Sequence, residues 1–190
     1  MNSEVLDVDM LAFERGSSNT KQAVVDGVMK SLETGFVYTS HDMSQDFLDE
    51  VYGMLGEFFS KSTPQKETAK AEGTNGQRGY TGLLVETAAI SDVPDWKEML
   101  NWGKDIPTGH PLKKRYPHRF FNNVFPEDLV PGITGTLEKF HDVVLDLQLR
   151  FLRIIASGLK ASETFFDSFV PGGATPVSYT HLTLPTNDQV

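Results

Sequence analysis

Five histidines, His41, His110, His118, His141 and His181, are the side chains best suited to hold a metal or move a proton near neutral pH. Their spacing assembles neither function. No H-E-x-x-H is present, and no H-x-D or H-x-E supplies the local half of a two-histidine, one-carboxylate iron site. His41 precedes Asp42 and His141 precedes Asp142, but neighbours on a strand or helix point apart and do not readily chelate one ion. Nucleophile signatures are missing too. There is no G-x-S-x-G and no P-loop, and the glycines of GTNGQRGYTG lack the G-x-G-x-x-G spacing of a dinucleotide site. Asp49-Glu50 and Glu127-Asp128 read as solvated acidic faces. The absence of cysteine excludes disulfides, thiolate zinc sites, iron–sulfur clusters and Cys nucleophiles.

Charge and hydropathy narrow the remaining classes. The 190 residues carry a formal net charge of −9. A nucleic-acid partner needs clustered Lys and Arg to displace counterions, so none is expected. The one basic cluster, Lys113-Lys114-Arg115 with Arg119, is interleaved with Pro, Tyr and His and reads as a solvated loop. The acidic start, MNSEVLDVDMLAFERG, lacks the basic and apolar regions of a secretory signal. No run approaches 18 apolar residues, so no membrane span is expected. The default expectation is a soluble cytoplasmic protein, and nothing in the sequence sets an oligomeric state.

The elements that must position any site follow from periodicity. Val5–Phe13 alternates partially and predicts a strand. Ser17, Ser18 and Asn19 offer caps for a helix over 20–34, closed by Gly35. Phe36–Thr39 predicts a buried strand. Phe47, Leu48, Val51, Tyr52, Leu55, Phe58 and Phe59 make the apolar stripe of a second helix, which Pro64 should stop. A polar loop over 64–77 follows, then an extended stretch over Arg78–Thr87. Asp95–Gly103 fits a strand or a short helical turn equally. Five prolines between 104 and 131 predict an irregular crossing. Leu137, Phe140, Val144, Leu147, Phe151, Ile154 and Ile155 then share one face of a long helix over 132–157. A short helix packed by Phe165, Phe166 and Phe169 should follow it.

The order of certain segments carries a resemblance. GFVYTSH follows the first helix and FFSKSTPQKE ends the second. RGYTGLLVET, DWKEML and NNVFPEDLVPGITGTLEKF come next, and a long helix runs into FLRIIASGLKASETFF. Taken together, these resemble the N-terminal half of the isopenicillin N synthase-like iron(II)/2-oxoglutarate-dependent dioxygenases, over residues 1–175. The resemblance implies an α+β fold, the helix-rich N-terminal region of a double-stranded β-helix (jelly-roll) oxygenase, truncated before most of the jelly roll. It implies iron(II), 2-oxoglutarate and a small-molecule substrate for the intact parent. The iron-binding H-x-D, distal His and cosubstrate-binding Arg belong to the absent half. No iron ligand, catalytic residue or cofactor is therefore expected in this chain. Within the resemblance, Arg78 and Tyr80 of RGY are the residues carried toward a substrate site. Arg78 either pairs a substrate carboxylate or ties down its loop while Tyr80 fills core. A different reading of the same elements is a non-catalytic helical module that binds a protein partner.

The family's next motif should begin after Pro176, where VSYTHLTLPTNDQV stands instead. Val177–Thr186 match the translation of a transposase-type sequencing adapter, residue by residue. Pro176 fits the codon its first two bases would complete, Asn187-Asp188-Gln189 fit an index, and Val190 precedes the adapter's stop. Residues 176–190 are accordingly expected to be an artefactual tail. The tail still alternates enough to form an edge strand.

Overall fold

A computed structural model of the protein describes residues 5–87, 92–170 and 176–182. Two units emerge, one of residues 1–45 with 143–173, the other of 46–142 with 174–190.

The first unit begins with strand β1 (Leu6–Val8), which pairs in parallel with β2 (Val37–Thr39). The strand predicted over Val5–Phe13 is cut short because Asp9 accepts a hydrogen bond from the Ala12 amide at 3.1 Å and caps helix α1 (Met10–Arg15). Ser17 does the same for α2 (Ser18–Ser31), accepting from Thr20 at 3.3 Å. Val24, Val25 and Val28 of α2 pack with Val8, Met10, Phe13 and Ile154 to form a small core. β2 is not the buried strand expected, since Phe36 and Tyr38 are 70% and 67% exposed. With a single neighbour strand, one edge and much of its surface stay open. The C-terminal part of this unit holds Arg150, whose guanidinium reaches Glu14 at 2.6 Å and Asp42 at 2.8 Å. Residues 162–170 form turns rather than a helix, leaving Phe165 and Phe169 exposed against one another.

The second unit is built on α3 (Gln45–Phe59); of its expected stripe Phe47, Val51, Leu55, Phe58 and Phe59 are buried, Leu48 is half-buried and Tyr52 is exposed at the stripe's margin. Pro64 does not merely stop it. Proline suits a first helical turn, and it opens a short helix α4 (Thr63–Lys66) that runs into a 3₁₀ turn over Glu67–Ala69. A three-stranded antiparallel sheet follows in the order β3 (Gly79–Thr81), β4 (Lys97–Gly103), β5 (Pro176–Leu182). Asp95–Gly103 thus resolves as a strand, and only three residues of Arg78–Thr87 join the ladder. The basic cluster forms a short helix, α5 (Pro111–Arg115), rather than a loop.

The long helix, α6 (Ile133–Gly158), lies within a residue of its predicted bounds, and the boundary between units falls inside it. Its start shows that Glu127 is not a free solvated acid. The carboxylate accepts from the Gly132 amide at 2.6 Å and the Thr134 amide at 3.0 Å, satisfying donors that a helix start leaves open. Glu50 is likewise engaged, accepting from the Thr136 hydroxyl at 3.0 Å. Ile133 and Leu137 are fully buried, and the Trp102 indole donates to the Leu137 carbonyl at 3.0 Å.

Candidate functional site

The loop from Gly73 to Gly79 sets the geometry of the candidate site. Gly73, Asn75, Gly76 and Gly79 all adopt positive φ, between 51° and 75°. At Gly79 no other residue fits: a Cβ there would lie 2.4 Å from the Ala69 carbonyl oxygen. The Thr74 hydroxyl closes the loop onto the Ala71 carbonyl at 2.8 Å. The Asn101 amide of β4 donates to the Gly76 carbonyl at 2.6 Å. These constraints carry Arg78 out of the loop and into the protein as the chain enters β3.

Arg78 is 2% exposed. Its Nη1 donates to the Gln77 carbonyl at 2.7 Å. Among the described residues, no acceptor lies within reach of its Nε. Burial pulls the guanidinium below its ordinary pKa, partly offset by the nearby Asp105 charge. It remains a cation with an unfilled donor. Arg78 lines a cavity of about 390 Å³ together with Gly76, Tyr80, Thr81, Val85 and Glu86. The two residues expected at a site are thereby brought to one wall.

Tyr80 also belongs to a buried polar network that sequence alone does not reveal. Its hydroxyl donates to Glu98 of β4, whose carboxylate also receives Lys66 Nζ at 2.6 and 2.8 Å to its two oxygens. Lys66 donates further to the Phe59 carbonyl at 3.3 Å. All three side chains are buried. Burial first, then the Glu98 carboxylate, raises the pKa of the Tyr80 phenol above its ordinary value. Lys66 and Glu98 sit within PQKE and DWKEML, and only the fold shows that these two segments meet.

No group of three or more His, Cys, Asp or Glu side chains is gathered to hold a metal among the described residues. No step of chemistry through iron is assigned to the described residues. No helix among the described residues is long and apolar enough to cross a membrane.

The family profile described as "non-haem dioxygenase in morphine synthesis N-terminal" matches residues 5–128. The chain belongs to this family. Its relatives include azadirone synthase of Melia azedarach, 29% identical over 158 residues, covering 80% of this chain and 45% of that protein. The 2-oxoglutarate-dependent dioxygenase caaD of Aspergillus niger is 26% identical over 175 residues, covering 90% of this chain and 53% of that protein. A crystal structure assigned to the 2OG-Fe(II) oxygenase family, from Caulobacter crescentus, shares the fold with a TM-score of 0.80 at 24% identity, over 98% of this chain and 59% of that one. The chain spans about half the length of the curated relatives it matches.

Proposed function

We propose that this chain is the substrate-side, N-terminal portion of an iron(II)/2-oxoglutarate-dependent oxygenase that oxidises a small organic substrate. Iron(II) and 2-oxoglutarate supply the oxidising chemistry in the intact enzyme. This chain's own contribution is to bind and orient. The observation that carries the reading is the buried Arg78 guanidinium, which lines a cavity of about 390 Å³ and has no acceptor at its Nε among the described residues. A buried cation with an empty donor is costly unless an acceptor fills it. A carboxylate matches a guanidinium in charge and shape, so Arg78 takes a substrate carboxylate and Tyr80 forms the adjoining wall.

In this reading residues 1–175 are the native portion, residues 176–190 are translated adapter, and the chain by itself is inactive. Calorimetric titration of the chain should then show no stoichiometric iron(II) or 2-oxoglutarate binding. The deciding experiment is to read the genomic DNA beyond the codon for Thr175. A frame that continues into H-x-D and a distal His supports the reading. A native stop after a native VSYTHLTLPT overturns it.

A further inference from the structure

We infer that the ligand of the Arg78 cavity is a carboxylic acid attached to an apolar body, and that Val85 selects for that body. The inference rests on assigning Arg78 to a carboxylate, and adds what the rest of the ligand must be.

Charge comes first. The other charged groups around the cavity already have opposite charges close by. Glu86 receives Lys97 Nζ at 3.0 Å, and Lys97 also reaches Asp95 at 2.9 Å. Lys70 lies 3.9 Å from Glu67 and 4.0 Å from Glu72. Arg78 has no carboxylate in contact among the described residues, only the more distant Asp105. One anionic group is therefore what the cavity lacks. A second charge on the ligand would have to compete with pairs already formed.

The lip supplies the other half. Val85 lines the cavity yet is 66% exposed. Leu83 and Leu84, just before it in the chain, are exposed as well. An exposed apolar side chain on a cavity wall offers contact to an apolar part of a ligand. The limb that carries Val85 is also tied to the residues around Asp95 before any ligand arrives. The Leu84 amide donates to the Asp95 carbonyl at 3.1 Å, and the Asp95 amide to the Glu86 carbonyl at 2.8 Å. Lys97 clamps Glu86 and Asp95 from the two limbs. Val85 on this braced limb, beside one buried cation, is complementary to a carboxylate with a hydrocarbon body, in a cavity sized for a small molecule.

The test titrates the 190-residue chain with acetate, hexanoate and hexanol, following the Arg78 Nε–H resonance and the affinity. Hexanoate should bind roughly tenfold more tightly than acetate, since a fully buried methylene is worth about fourfold and the tail is only partly covered. Hexanol should bind much more weakly than hexanoate. Val85→Ser, at an exposed position, should narrow the hexanoate-to-acetate ratio to a few-fold and leave acetate unchanged. Equal affinity for the two acids, or a ratio untouched by Val85→Ser, overturns the apolar body while the carboxylate assignment stands. If hexanol binds as well as hexanoate, or neither acid shifts Arg78, the carboxylate assignment falls and this inference falls with it.

Discussion

Replacing Glu98 by Gln keeps the side chain's volume and removes its charge. The carboxylate takes both bonds from Lys66, at 2.6 and 2.8 Å, and the Tyr80 hydroxyl, and none of the three residues is more than 6% exposed. In the variant the Lys66 ammonium stays buried with neutral acceptors alone, the amide oxygen and the Phe59 carbonyl at 3.3 Å. Removing one member of a buried pair costs about 3–5 kcal/mol, because the other charge remains uncompensated. The amide oxygen still accepts a hydrogen bond, so the lower end, about 3 kcal/mol, is expected. That is a large share of the roughly 5–15 kcal/mol stability of an ordinary domain. Urea unfolding at neutral pH, followed by fluorescence of the buried Trp102, reads it directly. Lys66→Met in the same chain removes the stranded charge, so the double variant should recover most of the loss. A Glu98→Gln penalty below about 1 kcal/mol, or a double variant as unstable as the sum of the singles, would refute the buried pair.

The Tyr80 phenol titrates above its ordinary value in the folded chain, because of burial and the Glu98 carboxylate. Its stabilising contribution is therefore complete below about pH 10 and is lost as pH rises through the folded value. Tyr80→Phe should cost about 1–2 kcal/mol at pH 7 and flatten the alkaline fall in melting temperature; an unchanged alkaline slope counts against the assignment. The Glu127 carboxylate is held below its ordinary range by its bonds to Thr134 and Gly132. It stabilises above that range and ceases to do so as pH falls through the folded value. Glu127→Gln should lower the melting temperature at pH 7 and remove part of the acid-side fall, whereas a melt identical at both pH values rules out the cap. Gly79→Ala should cost about 2–4 kcal/mol, combining left-handed strain with the clash at the Ala69 carbonyl; circular-dichroism melts showing less than 1 kcal/mol would mean the loop relaxes freely.

Periodicity read the long helices well because their information is local. The α3 and α6 stripes repeat over many turns; every buried residue of α3 is one the spacing selects, whereas in α6 Leu137 and Ile154 are buried from the stripe and Ile133, Thr136, His141 and Ala156 are buried beside it. Short elements fared worse. Residues 162–170 carry three phenylalanines, but aromatic content does not set a helix without a sustained face, and the chain turns there instead. Phe36–Thr39 has strand composition, and its exposure depends on neighbours the sequence does not name. Arg78 and Tyr80 were singled out only through the resemblance carried by RGY, and both line one cavity. Glu98 and Lys66 were not, because a pairing across 32 residues leaves no spacing rule. Glu127 was misread because a cap five residues ahead of its first amide partner lies outside the usual capping spacing.

The strand at the end of the chain raises a question of cause. β4 is buried along six of its seven residues, and β3 pairs with only three of them. Its other edge is a row of backbone donors and acceptors that any extended segment of suitable period can fill. VSYTHL has that period: Val177, Tyr179 and His181 are half-buried, while Ser178 and Thr180 are exposed. The Tyr179 ring lies 5.5 Å from that of Phe59, and His181 stacks on Phe59 at 5.1 Å. Pairing here follows from alternation and β propensity, whatever the origin of the codons. If that is the cause, replacing residues 177–182 by an unrelated sequence of the same alternation should leave the melting temperature unchanged. Shifting the present pattern by one residue flips every side chain to the other face. The shifted chain should melt a few degrees lower, on the order of 1 kcal/mol. An unrelated alternating sequence that destabilises as much as the shifted one would show instead that Tyr179 and His181 are specifically required, and would count against a translated adapter.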